Sequence, residues 1–450
     1  MELMEGMGFR MNDSVRSSLL IRGGRIVDPS QQLDAVGDLL IIDGLIQQQG
    51  TAVPEGVQTL DAKGYVVVPG LVDMHVHLRD PGGRGKESIA TGTAAAANGG
   101  FTSVVCMPNT SPVADHGGIL AYIQRESASS ALVRVFPTGA MTVGLQGEQM
   151  TQIGELKAAG AVAVTDDGKC VQNNELMRRV VQYAKHFKLP VLDHCEDYDL
   201  ASEGVMNEGY WSTVLGLPGI SPLAEDMIVA RDILLAKSCD WDLHIQHIST
   251  AGAVEMVRQA RRAGIRVSAE ATPHHIALRD EDIDQYDSNF KMNPPLRTDQ
   301  DRIALIEGIL DGTITVLATD HAPHMPHEKQ VEFGCAPFGI LGLETAVPIY
   351  LNILYHMNKM ELSAIVKAMT QAPADLLKLE VGTLQPGRLG DVTILDLDRR
   401  VEIDPELSLS KSRNTPFGVW RLQGDAVATI VGGKIVMNRM EGHPQIIPGQ

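Results

Sequence analysis

Long apolar runs are missing from this 450-residue chain, and no stretch approaches the ~20 residues that a membrane-spanning helix needs. The first eighteen residues, MELMEGMGFRMNDSVRSS, also lack the apolar core of a secretory signal, so a poorly ordered leader is expected over 1–18. Basic residues are in deficit. There are 38 Lys and Arg against 56 Asp and Glu, a formal charge of −18, which disfavours nucleic acid or an anionic membrane as partner. Cysteine is sparse: five residues, at 106, 170, 195, 239 and 335, odd in number and with no Cys-x-x-Cys. That usage points to reduced thiols in a cytoplasmic protein. What is present, 44% hydrophobic and 21% charged, is ordinary globular composition with ample core.

Two β-rich segments flank the chain. Residues 19–68 read as short strands punctuated by Gly and Asp-Gly turns, and GDVTILDLD and AVATIVGGKIVMN repeat that style within 381–450. One small β domain built from both termini is the expectation. Between them, over 69–380, strand-like and helix-like stretches alternate. Strand candidates fall at 72–77, 101–109, 133–141, 161–168, 189–196, 242–249, 265–275 and 313–324. Helical patterns at 87–100, 173–188, 222–237, 251–264 and 301–312 separate them. Eight strands alternating with helices predict an α/β fold, a closed parallel (β/α)8 TIM barrel. A doubly wound sheet fits less well, because a Gly-x-Gly-x-x-Gly fingerprint is absent from the first strand-to-helix turn.

The run VVVPGLVDMHVHLRD at 66–80 organises the chemistry. His75 and His77 share one face of a strand at a spacing of ~6–7 Å, suited to holding one metal ion through neutral imidazoles. In a β/α barrel the C-terminal strand ends carry function. Those ends here bear His75 and His77, Asn109, the pair Asp166-Asp167, His194, His247 and Asp320. Four histidines and acids converging on one mouth predict a metal site. His116, His186, His356 and His443 fall outside the strand ends, and alternation turns His244 away from His247, toward a helix.

The motifs HVHLRDPGGRGKE, VVCMPNT, TDDG, HCED, HIST, NFKMNPPLR, ATDHAPH and FGILGLET, with GRLGDVTILDLD and NTPF near the end, together resemble dihydroorotase. The resemblance is to the bacterial, TDDG-bearing branch of that amidohydrolase-superfamily enzyme, and it runs from about residue 19 onward. It implies reversible conversion of N-carbamoyl-L-aspartate to dihydroorotate and water in pyrimidine biosynthesis. It also implies one or two Zn2+ per chain: His75, His77 and Asp320 on one ion, His194 and His247 on a second, with Asp167 bridging. Strand parity alone leaves Asp166 and Asp167 both open, and the resemblance selects Asp167. Lys169 lies past Gly168 in the turn and is not taken as a carboxylated-lysine bridge, the group used in much of the superfamily. Arg79, Asn109, Asn293 and His324 match substrate contacts, His77 adjoins them, and Phe338 and Gly339 match loop-backbone contacts to the ring.

The chemistry asks for the same parts. Hydrolysing an unactivated cyclic amide needs a metal-activated water and a carboxylate that shuttles its proton, the role expected of Asp320. The long polar segment 324–339 suits a loop that closes on substrate. Two other readings compete: a hydantoinase- or allantoinase-like amidase, and an inactive homologue serving as structural partner of aspartate transcarbamoylase. RDPG, MPNT and the strand-4 aspartate weigh against the first, and the complete ligand set against the second. A homodimer, or an active enzyme assembled with the transcarbamoylase, is compatible with the resemblance.

Overall fold

The computed structural model describes residues 17–283 and 285–440. The leader expectation for 1–18 therefore lies, apart from its last two residues, outside the described residues, as does His443.

Eight short parallel segments close into a barrel. The first three strands, Leu71–Val76, Phe101–Cys106 and Arg134–Pro137, pair in sequence order. The fifth to eighth, Val191–Asp193, Leu243–Ile245, Val267–Ala271 and Val316–Leu317, do likewise. Val76 pairs with His321 to join the eighth position to the first.

The fourth position is thinner than expected. Instead of a strand over 161–168, Val164 alone bridges Gly139 on one side and Val191 on the other. The backbone ladder is nevertheless in place: the Val162 and Thr165 N–H groups donate to the Pro137 and Gly139 carbonyls at 3.0 Å, and Met141 N–H to the Thr165 carbonyl at 3.3 Å. It ends where the Asp167 N–H turns to Thr165 Oγ at 3.1 Å, while Asp166 accepts the N–H groups of Met141 (2.7 Å) and Thr142 (2.9 Å). The interior is filled by Met74, Val105, Met107, Ala163, Leu192, Val316 and Ala318, so the barrel is a packed core and not a pore.

The helices outside follow from capping and periodicity. Asn173 caps Asn174–His186 by accepting the Leu176 N–H, and Met177, Val180, Val181 and Ala184 form its buried stripe. Thr250 caps Ala251–Arg262, which buries Ala253, Val254, Val257 and Ala260. Each fully buried Val contributes about 1.5–3 kcal/mol. Pro222 opens the longest helix, Pro222–Cys239, at a position where its missing N–H costs nothing.

Both ends of the chain supply one mixed sheet. Lys434–Asn438, Arg421–Val431, Val392–Glu402, Val66–Pro69, Leu19–Asp28, Leu33–Ile42 and Leu45–Ile46 lie side by side, with Gln58–Asp61 also paired to Leu19–Asp28. Its core includes Leu19, Ile21, Ile41, Val67, Ile394, Val427 and Ile430. Val66–Pro69 runs almost directly into the first barrel strand, so the sheet fixes where the His-x-His strand begins. No helix among the described residues is long and apolar enough to cross a membrane.

Candidate metal centre

The structure brings His75, His77, His194, His247, Asp167 and Asp320 together at the C-terminal mouth of the barrel. His75 Nε2 lies 3.2 Å from Asp167 Oδ1 and 3.5 Å from Asp320 Oδ1. His77 Nε2 lies 3.0 Å from Asp320 Oδ1 and 3.4 Å from Asp167 Oδ2. On the other side of Asp167, its Oδ1 is 3.6 Å from His247 Nε2 and 3.9 Å from His194 Nδ1. Asp167 thus sits between the two histidine pairs, whereas Asp166 is turned to the backbone after the third strand. Lys169 stands over the Tyr198 ring, at 5.9 Å, and not among these groups.

The ring orientations suit ligation. His75 Nδ1 faces Glu270 Oε1 at 2.5 Å, and His77 Nδ1 faces Asn109 Oδ1 at 2.9 Å. Each acceptor takes the Nδ1 proton and leaves a lone pair on Nε2, the arrangement that orients metal-binding imidazoles. His75 Nε2 is buried without a hydrogen-bond partner. An orphaned buried nitrogen beside two buried carboxylates fits a divalent cation. The electrostatics agree. Burial opposes ionisation of Asp320, yet the charge of His75 and the bond from His77 outweigh it and hold its pKa below the usual carboxylate range. Burial likewise opposes charge on His75, but Asp167, Glu270 and Asp320 raise its pKa well above normal. The cluster calls for positive charge.

Three backbone points here are strained. His247, Asp320 and Arg79 adopt φ of 30°, 49° and 55°, a region that side chains rarely occupy and that concentrates at functional sites. The turn at His247 also overturns an expectation. His244 does not pack toward a helix: its Nε2 meets Glu270 Oε2 at 3.1 Å and its Nδ1 meets Ser268 Oγ at 2.8 Å. Because the left-handed turn breaks strand alternation, His244 and His247 both reach the site region. Gln246 joins them, with Nε2 3.2 Å from His75 Nδ1.

The residues that the resemblance assigns to substrate gather nearby. Arg79 Nε donates to the Pro323 carbonyl at 3.3 Å. Asn293 Nδ2 donates to Glu196 Oε1 at 2.9 Å and lies 3.4 Å from His194 Nε2. His275 Nε2 donates to the Pro294 carbonyl at 2.9 Å and so steadies the segment that carries Asn293. His324 Nε2 donates to the Phe338 carbonyl at 2.8 Å, leaving Nδ1 buried and without a partner. Burial, with Arg79 close by, lowers the His324 pKa and keeps the ring neutral. His324 therefore presents an acceptor, and pairing with a carboxylate there requires it first to take up a proton. At Gly339, φ is 123° and an added Cβ would fall 2.6 Å from Ala322 Cβ, so only glycine fits beside the eighth strand.

Sequence reasoning missed Glu270, Glu196 and Gln246. For Glu270 the signal was an acid inside an otherwise apolar strand, since an unpaired glutamate is almost never fully buried.

Comparison with known proteins follows the same lines. A family model described as Dihydro-orotase-like matches residues 64–253, and one described as Amidohydrolase family matches 336–437. A dihydroorotase of Geobacter sp. (strain M21) is 51% identical over 93% of this chain and 99% of its own length. One from Pelotomaculum thermopropionicum is also 51% identical, over 93% and 98%. Among solved structures, the L-hydantoinase (dihydropyrimidinase) of Arthrobacter aurescens superposes with a TM-score of 0.85 at 25% identity, covering 96% of this chain and 98% of that one. The dihydropyrimidinase of Brevibacillus agri shares the fold, with a TM-score of 0.81 at 23% identity over 94% and 95%.

Fold and relatives together define an amidohydrolase, a hydrolase of cyclic amide C–N bonds, with His and Asp groups at the strand ends that could hold a metal. Within that class the chain belongs to the dihydroorotase family.

Proposed function

We propose that this chain is a zinc-dependent dihydroorotase of the cytoplasm, interconverting N-carbamoyl-L-aspartate with (S)-dihydroorotate and water in pyrimidine biosynthesis. The observation that carries the reading is Asp167 set between two histidine pairs, with Asp320 against the first pair and Arg79 at the same mouth. His75, His77 and Asp320 would hold one zinc, His194 and His247 a second, and Asp167 would join them. Zinc bound there would lower the pKa of a water to about 7 and polarise the amide carbonyl.

The residues do the rest. Asp320, held ionised, takes the proton of the attacking water and delivers it to the ring nitrogen as the C–N bond breaks. Asn109 commits its amide oxygen to His77, which leaves its NH2 for the substrate. Arg79 offers a planar fork for the ring carboxylate. Phe338, Gly339 and Asn293 would contact the ring.

A charge-assisted bidentate pair contributes roughly 1.5–3 kcal/mol, and stranding a buried partner costs more, so the carboxylate assignment is measurable. Wild type and Arg79→Met are each assayed with dihydroorotate and with dihydrouracil, which lacks the carboxylate. Either single change lowers kcat/KM by about 10- to 1000-fold, and both together cost much less than the product. Independent losses would remove Arg79 from the carboxylate, and a wild-type preference for dihydrouracil would replace this reading with a hydantoinase-like one.

A further inference from the structure

The helix Pro222–Cys239 touches none of the proposed metal positions, yet the buried Glu225 and the largely buried Arg231 stand on its inner face, one behind each histidine of the second pair. Glu225 supports the His247 side. Its Oε1 accepts the backbone N–H of Ser249 at 2.8 Å and of Thr250 at 3.1 Å, and its Oε2 accepts the Ser249 hydroxyl. Arg297 closes that network by donating to Ser249 Oγ at 3.1 Å. These bonds pin the two residues just after the strained turn at His247, and a strained turn persists only where its surroundings over-determine it.

Arg231, less than two turns further along, supports the other side. Its guanidinium donates to Asp193 Oδ2 at 2.7 Å, directly before His194, to Asp232 Oδ1 at 2.8 Å, and to the carbonyl of Val171. Val171 lies on the loop that leaves Asp167. One side chain thus ties the strand end bearing His194 to the segment bearing the bridging carboxylate. The first pair has its own supports, Asn109 behind His77 and Glu270 behind His75, the latter also accepting the His247 backbone N–H at 3.2 Å, and neither belongs to this helix.

We infer that Glu225 and Arg231 are positioning residues for the second metal ion: the helix Pro222–Cys239 sets His194, His247 and Asp167 at ligating distance, independently of the first ion. The inference rests on the two-ion reading above. Groups that hold ligands from behind change metal affinity by about 10- to 100-fold when lost.

The test is a zinc titration of the metal-stripped full-length protein by equilibrium dialysis and elemental analysis, with the melting temperature of the stripped protein measured alongside. Glu225→Gln and Arg231→Met are compared with wild type and with Leu234→Ala, a change on the exposed outer face of the same helix. Should Arg231→Met not fold, Arg231→Lys, which keeps the charge but not the fork, replaces it. Wild type and Leu234→Ala take up two ions. In the inner-face variants the zinc needed for the second ion rises at least ~10-fold, while the first stays within ~2-fold. Equal weakening of both ions in step with the melting temperature would mean a merely structural role and overturn the inference, as would unchanged binding. A wild type that takes up only one ion would overturn the two-ion reading and the inference with it.

Discussion

In the proposed mechanism Asp320 bears the heaviest chemical demand: it would face an ion, accept a proton and return it, all from one carboxylate 3.0 Å from His77 Nε2. Replacing it by Asn keeps the shape and removes the base, so Asp320→Asn lowers turnover in both directions by at least ~100-fold. Near-normal turnover in steady-state assays would take Asp320 out of the mechanism. Its two proposed roles set the sign of the pH dependence: hydrolysis needs the ionised carboxylate and ring closure the protonated one, so in pH–rate profiles hydrolysis slows and ring closure gains as pH falls. Legibility at this scale was uneven. Position along a strand was enough to find the four histidines. Choosing Asp167 over Asp166 depended on which backbone N–H groups Asp166 captures from across the sheet, and no local pattern encodes that.

Among the elements, the segment 324–339 is the most exposed to function. It is held down by buried amines: Lys329 Nζ donates to the carbonyls of Pro337 (2.9 Å) and Gly339 (3.0 Å), and Lys291 Nζ to those of Phe333 and Gly334 (both 2.9 Å). Asn414, from the NTPF motif, donates to the carbonyls of Ala322 and Gly339, both at 3.0 Å. Within this loop Cys335 is exposed, whereas Cys106, Cys170, Cys195 and Cys239 are buried. A disulfide reagent should therefore find a single fast thiol in the native protein and the other four only on unfolding. Two or more fast thiols would show that the Cys170–Cys195 region opens readily. The helices were legible because their caps and apolar stripes are local. The early end of the fourth strand was not, because it depends on the Asp167 N–H turning back to Thr165 Oγ. The facing of His244 was not either, because a left-handed residue interrupts the alternation on which that expectation rested.

At the scale of the whole molecule, barrel and sheet are locked by a buried pair far apart in sequence. Arg134, at the start of the third strand, donates to Asp391 Oδ2 at 2.6 Å and Oδ1 at 2.9 Å, and Asp391 also accepts the Gly432 N–H at 2.7 Å. Asp391→Ala deletes charge-assisted hydrogen bonds from both Arg134 and Gly432 and so costs about 1.5–3 kcal/mol in denaturant unfolding. A loss below ~1 kcal/mol would show that the pair is solvated and the junction held by apolar packing alone. That two distant β-rich ends join one sheet was legible in their shared turn chemistry. This cross-link was not, since no spacing rule connects residues 134 and 391. The central claim, that the convergent His and Asp cluster binds zinc and thereby turns over dihydroorotate, is tested most directly by one paired measurement. Protein purified without chelator, the same sample stripped of metal, and the stripped sample restored with zinc are each analysed for metal and for dihydroorotate hydrolysis. The account predicts one to two zinc ions per chain and an activity that disappears and returns with them. Full activity in the stripped sample, with no divalent metal detected, would contradict it.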